Sequence, residues 1–227
     1  MLRSVELVRE KKEFSINYRN NTWFLFGIVC AVSTLLTILS QYLLISDELY
    51  FNSFVDQLSY EQIEVLIDNN RKWAWTPYPI LILFSLIKFT VLASCLGLGY
   101  YFSENRFLFR LFFIVSMKSE LILYLPALVK LIWFLFIQTD YHLHDLQYFY
   151  PLSLLNLFDP ATLEPWLTYP LQLLNVFELL YWFALAYGIA QTLEMPMEKA
   201  FGLVASSYGL GLLLWVVFVM FLTISFT

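Results

Sequence analysis

Charge is the property that this chain has least of. Only 14% of its 227 residues are charged, whereas 60% are hydrophobic and 19% are aromatic. A soluble domain of this length cannot bury so much apolar surface, because the buried fraction of a chain grows only slowly with its size. The shortage of charge therefore excludes an ordinary water-soluble fold and indicates that a lipid bilayer surrounds part of the protein.

Basic residues, cysteines and catalytic motifs are also scarce. Bases number 13 against 18 acids, and nucleic-acid partners require a basic surface, so we expect none. The two cysteines, Cys30 and Cys95, lie in apolar runs, where they are expected to pack as small hydrophobic residues rather than form a disulfide framework. There is no nucleophile–base pair, phosphate-binding loop or dinucleotide-binding glycine pattern, so the sequence predicts neither an enzyme nor a cofactor.

Long apolar runs are what the sequence has in abundance. About 20 consecutive apolar residues cross a bilayer as a helix, and five such windows occur. They cover residues 22–45, 80–102, 120–138, 173–193 and 201–225. The first, at 24 residues, is too long for the apolar region of a signal peptide. The sequence thus predicts an all-α integral membrane protein, a single domain built as a five-helix transmembrane bundle.

The distribution of lysine and arginine predicts the orientation of the bundle. Nine of these residues fall on the side that holds the N-terminus and only two, Arg71 and Lys72, fall on the other side. The nine are Arg3, Arg9, Lys11, Lys12, Arg19, Arg106, Arg110, Lys118 and Lys199. Because basic loops stay in the cytoplasm, we expect a cytoplasmic N-terminus and an extracytoplasmic C-terminus.

Three segments outside these windows also have a recognisable pattern. Residues 47–70 carry six acids, and their apolar residues recur at helical spacing, which predicts one amphipathic helix on the outer face. Residues 106–118 predict an amphipathic helix on the cytoplasmic side. The apolar part of 146–170 is too short to cross a bilayer and predicts an interfacial or re-entrant segment.

Three charged residues fall in the interior of the predicted spans, away from their ends. Lys88, Lys130 and Glu178 all lie in the outer half of the bilayer, where an isolated charge costs about 2.5–3.5 kcal/mol. We therefore expect Glu178 to face the bundle interior and to pair with Lys130, Lys88 or both. Three interpretations remain open: a structural ion pair, an outward-open polar cavity that admits an ion, lipid headgroup or substrate, and lysines that snorkel separately to the interface.

Pro126 lies one turn before Lys130 in the third predicted span. Proline lacks a backbone donor, so it leaves the carbonyl of Ile122 without its helical partner and predicts a kink. Membrane helices tolerate such a kink where neighbouring groups or water satisfy the carbonyl, so the kink favours the cavity interpretation.

The stretch DYHLHD offers weak candidates for metal binding. In an extended strand, Asp140, His142 and His144 would share one face, and both imidazole and carboxylate bind zinc. A structural zinc site needs four ligands, so we predict no metal here and interpret the stretch as a polar loop.

The last predicted span begins with small residues at four-residue spacing. Gly202 with Ser206, and Ala205 with Gly209, form two such pairs on neighbouring helix faces. Small residues let membrane helices approach closely, either inside one bundle or across a dimer interface.

Two blocks of the chain resemble the Yip family, the membrane proteins related to Rab/Ypt-interacting proteins. They are FLFRLFFIVSMKSELILYLPALV (107–129) and LLNVFELLYWFALAYGIAQTLEMPMEKAFGLVASSYGLGLLLW (173–215). The matching positions in the second block are Asn175, Phe177, Gly188, Lys199 and Ala200. The short N-terminal tail is similar to that of compact bacterial members. The resemblance implies a non-enzymatic five-span protein that works through partners; the acidic segment 47–70 has no counterpart in it.

These features predict a bacterial inner-membrane protein that serves as an accessory or scaffold subunit of a larger membrane complex. Its expected partners are the lipid bilayer and other membrane proteins. The alternative is a small transporter or lipid-handling protein that uses an outward-open cavity at Lys88, Lys130 and Glu178.

Overall fold

Five helical segments are long and apolar enough to cross a membrane. A computed structural model describes residues 2–159 and 163–226, and it describes side chains from residue 22 onward. The five segments are Thr22–Leu44, Pro77–Glu104, Phe109–Phe136, Val176–Leu193 and Met197–Phe226. The described residues include no β-strand. The prediction of an all-α, five-helix membrane bundle is confirmed, and the chain is a multi-pass membrane protein.

The described residues form eleven α-helices, because two of the five spans are interrupted and four short helices lie outside the spans. In chain order they are α1 (Leu2–Leu44), α2 (Asp47–Phe54), α3 (Tyr60–Trp73), α4 (Pro77–Glu104), α5 (Phe109–Ser119), α6 (Leu125–Phe136), α7 (Leu143–Tyr148), α8 (Pro165–Leu173), α9 (Val176–Leu193), α10 (Met197–Val204) and α11 (Leu210–Phe226). We call the predicted cytoplasmic side the inner face. The side chains of the five basic residues Arg3, Arg9, Lys11, Lys12 and Arg19 lie outside the described part of the chain.

The outer acidic segment 47–70 forms two helices, α2 and α3, rather than the single helix predicted. Helix α2 ends at Phe54, and Ser59 caps α3: its side chain accepts a hydrogen bond from the backbone of Gln62, whose own side chain accepts one from the Ser59 backbone. This capping box starts a new helix. The two helices fold back on each other, since Asn70 donates to the Tyr50 hydroxyl and Arg71 pairs with Asp47.

The third span differs most from its prediction. Residues 109–119 do not form a separate interfacial helix; α5 continues through a short 3-10 segment, Glu120–Tyr124, into α6. Helix α5 is buried along most of its length, from Phe112 to Met117. Arg110 marks its inner end by donating to the Thr22 hydroxyl at the start of the first span. The arginine spacing that suggested an amphipathic surface helix in fact belongs to the inner end of a core helix.

Pro126 is placed in the first turn of α6, directly after the 3-10 segment. The carbonyl of Ile122, which loses its usual donor at Pro126, accepts instead from the Leu125 backbone. A 3-10 turn thus satisfies the group that the proline leaves free.

A short helix, α8, precedes the fourth span and is separated from it by a break in the helix. Helix α8 ends at Leu173, and α9 begins after Asn175, whose side chain caps the backbone of Glu178 at 2.8 Å. Residues 152–154 lie against the break: the Leu154 backbone donates to Leu174, and the Val176 backbone donates to Leu152. The segment predicted as interfacial or re-entrant, 146–170, therefore folds as α7, a 3-10 turn at Leu154–Leu157 and α8, and its residues 160–162 lie outside the described part.

The fifth span passes through a π-helical segment, Ala205–Gly209, between α10 and α11. Of the four small residues predicted to mediate packing, Gly209 lies against the Trp182 ring, whereas the Gly202 and Ser206 pair faces away from the bundle. The close helix approach is made by a different pair. A Cβ at Gly99 of α4 would lie 2.7 Å from the Ser207 Cβ, so only glycine fits there.

We expect Gly99→Leu to destabilise the bundle by about 1–3 kcal/mol, because the new side chain overlaps Ser207 and forces α4 away from the last span. Thermal unfolding in detergent micelles measures the change. Gly27→Leu is the matched control, since nothing lies within 4 Å of a Cβ at Gly27. That variant should be neutral or slightly more stable, as glycine disfavours a helix interior. Equal stability of the two variants would contradict the packing described here.

The main hydrophobic core lies between α4, α5, α9 and α10, in the inner part of the bundle. Its largest fully buried side chains are Phe89, Leu96, Phe112, Met117, Tyr181, Leu185, Ile189 and Val204. A smaller outer cluster joins Leu44, Leu49, Phe134 and Leu146. On its outer side the main core borders the charged residues of the spans, since Phe89 of the core is adjacent to Lys88.

Candidate functional site

An ion pair lies within the bilayer between the second and third spans. The Lys88 ammonium donates to both carboxylate oxygens of Glu120, at 2.6 and 2.8 Å. Lys88 lies about 16 Å along α4 from Pro77 and about 24 Å from Glu104, so it falls well inside the hydrocarbon layer. Glu120 is the first residue of the 3-10 segment. The counter-ion of Lys88 is therefore Glu120, not the predicted Glu178.

Glu178 forms no ion pair with either Lys88 or Lys130, which corrects the prediction. It is 8% exposed, and its Oε1 accepts hydrogen bonds from the Trp182 indole at 3.0 Å and from the Tyr208 hydroxyl at 2.7 Å. Glu178 also lies in the first turn of α9, where the positive end of the helix dipole favours a carboxylate. Neutral donors and the helix terminus replace the expected cation.

Tyr181 connects the ion pair with Glu178. Its side chain is fully buried, and the Lys88 ammonium lies 5.9 Å from the centre of its ring, within the range of a cation–π contact. Its ring meets that of Tyr208 edge to face at 5.7 Å. The charges of Glu120 and Glu178 both act on its hydroxyl. We call Lys88, Glu120, Glu178, Tyr181, Trp182 and Tyr208 the central polar cluster.

The Tyr181 hydroxyl has no hydrogen-bond partner among the described residues. Buried hydroxyl groups are nearly always paired, so an unpaired one is a donor that a small movement could bring to a neighbouring acceptor. Charged and polar groups from the second to the fifth spans thus converge around one unpaired hydroxyl.

Lys130 belongs to a different part of the molecule. Its ammonium donates to the backbone carbonyl of Leu146 and lies 5.6 Å from the ring centre of Tyr150. Burial raises the pKa of Tyr150, so this ring stays uncharged at neutral pH and presents a neutral π surface to the lysine. Lys130 therefore holds the segment after the third span in place and does not line a cavity shared with Lys88 and Glu178.

The predicted metal candidates do not converge. Residues 143–148 are helical rather than extended, so His142 precedes α7 while His144 stacks on Tyr148 at 4.5 Å. His142 instead faces Asp145, 3.9 Å away, whose carboxylate accepts a hydrogen bond from the His142 backbone. Among the side chains that the structure describes, in residues 22–159 and 163–226, no group of three or more metal-ligating residues is placed to hold an ion.

A groove of about 420 Å³ opens between α5 and α9, away from the central polar cluster. Its lining includes neither Lys88 nor Glu178. Lys130, Lys88 and Glu178 each bind different partners, so the structure does not bring the three residues together as the predicted cluster.

Sequence reasoning missed Glu120 and the three aromatic members of the central polar cluster, Tyr181, Trp182 and Tyr208. One signal was present: Lys88 requires a counter-ion at its own depth, and Glu120 reaches that depth once the third span begins near Phe109. No protein-family model, curated protein or solved structure matches the chain. Its class is therefore defined by its own fold and site, a five-helix membrane bundle with a buried charged cluster.

Proposed function

We propose that the protein is a non-enzymatic accessory or scaffold subunit of a larger complex in the bacterial inner membrane. The observation that carries this proposal is the exposure of Lys88. Its side chain is 44% exposed, whereas its partner Glu120 is only 12% exposed. Glu120 is thus shielded by the bundle, whereas Lys88 is accessible from the bilayer side.

The exposed lysine lies on a continuous face of α4. Phe84, Ile87 and Val91 are exposed with it at helical spacing, so this α4 face meets no other helix whose side chains the structure describes. An ammonium left against acyl chains costs about 2.5–3.5 kcal/mol even on the lenient insertion scale, and its ion pair recovers only part of that cost. A helix of a partner protein that covers the α4 face would remove the cation from lipid.

Other observations support the same class. The two carboxylates of the central polar cluster are largely buried and already bind donors from within the chain, Glu120 from Lys88 and Glu178 from Trp182 and Tyr208, as expected of a structural cluster. The exposed Gly202 and Ser206 pair provides a second face on which another helix could approach closely. The resemblance of residues 107–129 and 173–215 to the Yip family implies the same mode of action, through protein partners.

Site-specific photocrosslinking in native membranes tests the proposal. A photoreactive amino acid at Ile87, one residue from Lys88 on the exposed α4 face, should give a discrete protein adduct of defined mass. The same amino acid at Leu214, which is also exposed but lies on α11, is the control and should give lipid adducts only.

The adduct at Ile87 should weaken in Lys88→Met/Glu120→Leu, because the partner recognises the charged pair. The same partner should remain with the wild-type protein during purification in mild detergent. Recovery of a lone monomer together with lipid-only adducts at Ile87 would refute the proposal.

A further inference from the structure

The groove between α5 and α9 is lined by one cationic side chain and by mostly apolar residues. Lys118 projects into it from α5, and Tyr187 and Gln191 border it from α9. The rest of the lining is apolar except for the hydroxyls of Ser119 and Thr192, and the two helices touch where a Cβ at Gly188 would lie 2.8 Å from Val115. Its volume of about 420 Å³ falls within the range of about 300–1,000 Å³ that is usual for ligand sites.

Lys118 has no counter-ion in the bundle. It is exposed, and it forms no ion pair or hydrogen bond with the residues that the structure describes. The groove lining contains no acidic side chain. Lys118 is therefore a single uncompensated positive charge on a surface that faces the bilayer.

The groove lies in the inner half of the membrane. Arg110 marks the inner end of α5, and Lys118 lies about 12 Å further along the helix. Gln191 is in the last turn of α9, which ends at Leu193 near the same face. The long stem of Lys118 allows its ammonium to reach toward that interface, where phospholipid headgroups are found.

We propose that this groove binds one anionic phospholipid of the inner leaflet. Its phosphate would pair with Lys118 and accept hydrogen bonds from Tyr187 and Gln191, while an acyl chain would lie along the apolar wall at Ile122 and Ala184. A zwitterionic lipid carries its own ammonium, which competes with Lys118 for the phosphate, so the site should prefer a lipid with net negative charge. The groove and the exposed α4 face lie on different helices, so this inference does not depend on the proposed function.

Native mass spectrometry of the whole protein tests the inference. The purified chain is titrated with phosphatidylglycerol or with phosphatidylcholine of the same acyl chains. We expect the wild-type protein to bind phosphatidylglycerol about fivefold more tightly, the ratio that one lysine near the membrane surface contributes. Lys118→Gln should reduce this ratio to about one.

Two further variants make the result specific. Lys199→Gln removes another inner-face lysine that does not line the groove, and it should keep the preference. Ala184→Leu fills the groove without changing charge, and it should weaken binding of both lipids. The inference is overturned if the wild-type protein binds the two lipids equally, or if Lys118→Gln and Lys199→Gln lower the ratio to the same extent.

Discussion

Glu120→Leu will destabilise the bundle by about 2–3 kcal/mol, and adding Lys88→Met to the same chain will recover most of the loss. The single change leaves the Lys88 ammonium inside the hydrocarbon layer without its two hydrogen bonds of 2.6 and 2.8 Å. The double change removes both charges and leaves two apolar side chains in their place, which buried pairs often tolerate. Equilibrium unfolding in mixed detergent micelles gives the three free energies.

Glu104→Leu is the control for this cycle. It removes an exposed carboxylate at the inner end of α4 and should change stability by no more than about 0.5 kcal/mol. If Glu120→Leu proves as stable as Glu104→Leu, the ion pair contributes nothing to the free energy of unfolding. A double variant that is less stable than either single variant would also contradict the pairing.

The second large effect concerns the identity of the residue at position 178. Glu178→Leu should cost about 2–4 kcal/mol, because the partly buried Trp182 indole and Tyr208 hydroxyl would both lose their acceptor. Glu178→Gln keeps a carbonyl oxygen at the same place and should cost less than about 1 kcal/mol. The same unfolding measurement separates the two variants.

Tyr208→Phe provides an independent check on this interpretation. It deletes one of the two donors and should cost about 0.5–1.5 kcal/mol, the usual worth of one hydrogen bond. If Glu178→Gln is as damaging as Glu178→Leu, the negative charge itself is required. The carboxylate would then serve a cation, and the transport alternative would replace the proposed function.

The existence and number of the spans could be predicted from the sequence. Hydropathy is a property of whole windows, and each of the five windows is apolar enough to outweigh a few charged residues. The ends of the spans depend on single capping interactions, which composition does not reveal. Asn175 starts α9 at Val176 because its side chain accepts from Glu178, and Ser59 divides the outer segment in the same way.

The third span could not be predicted correctly because three basic residues obscured its start. Arg106, Arg110 and Lys118 gave residues 106–118 the pattern of a surface helix, although α5 is largely buried. Placing the start of the span at residue 120 put Glu120 at a membrane boundary, where a carboxylate needs no partner. One misplaced boundary therefore hid the counter-ion of Lys88.

The environment of Glu178 was beyond sequence reasoning for another reason. The cost of burying a carboxylate demands compensation, but it does not say whether a cation, neutral donors or a helix terminus supplies it. Trp182 lies one turn further along α9, and Tyr208 comes from the next span. Only the antiparallel packing of α9 with α10 brings the second donor within reach.

The irregular segments of the last three spans have a mechanical consequence. The 3-10 turn at Glu120, the break before Glu178 and the π segment around Tyr208 each supply one member of the central polar cluster. The regular helical hydrogen bonds of the backbone are thus interrupted in three neighbouring segments at a similar depth in the membrane. Bending there would leave the inner part of the bundle rigid. Helix α6 would move on its own, whereas α8 and α11 would move together, since the Trp215 indole of α11 donates to the Tyr169 hydroxyl of α8.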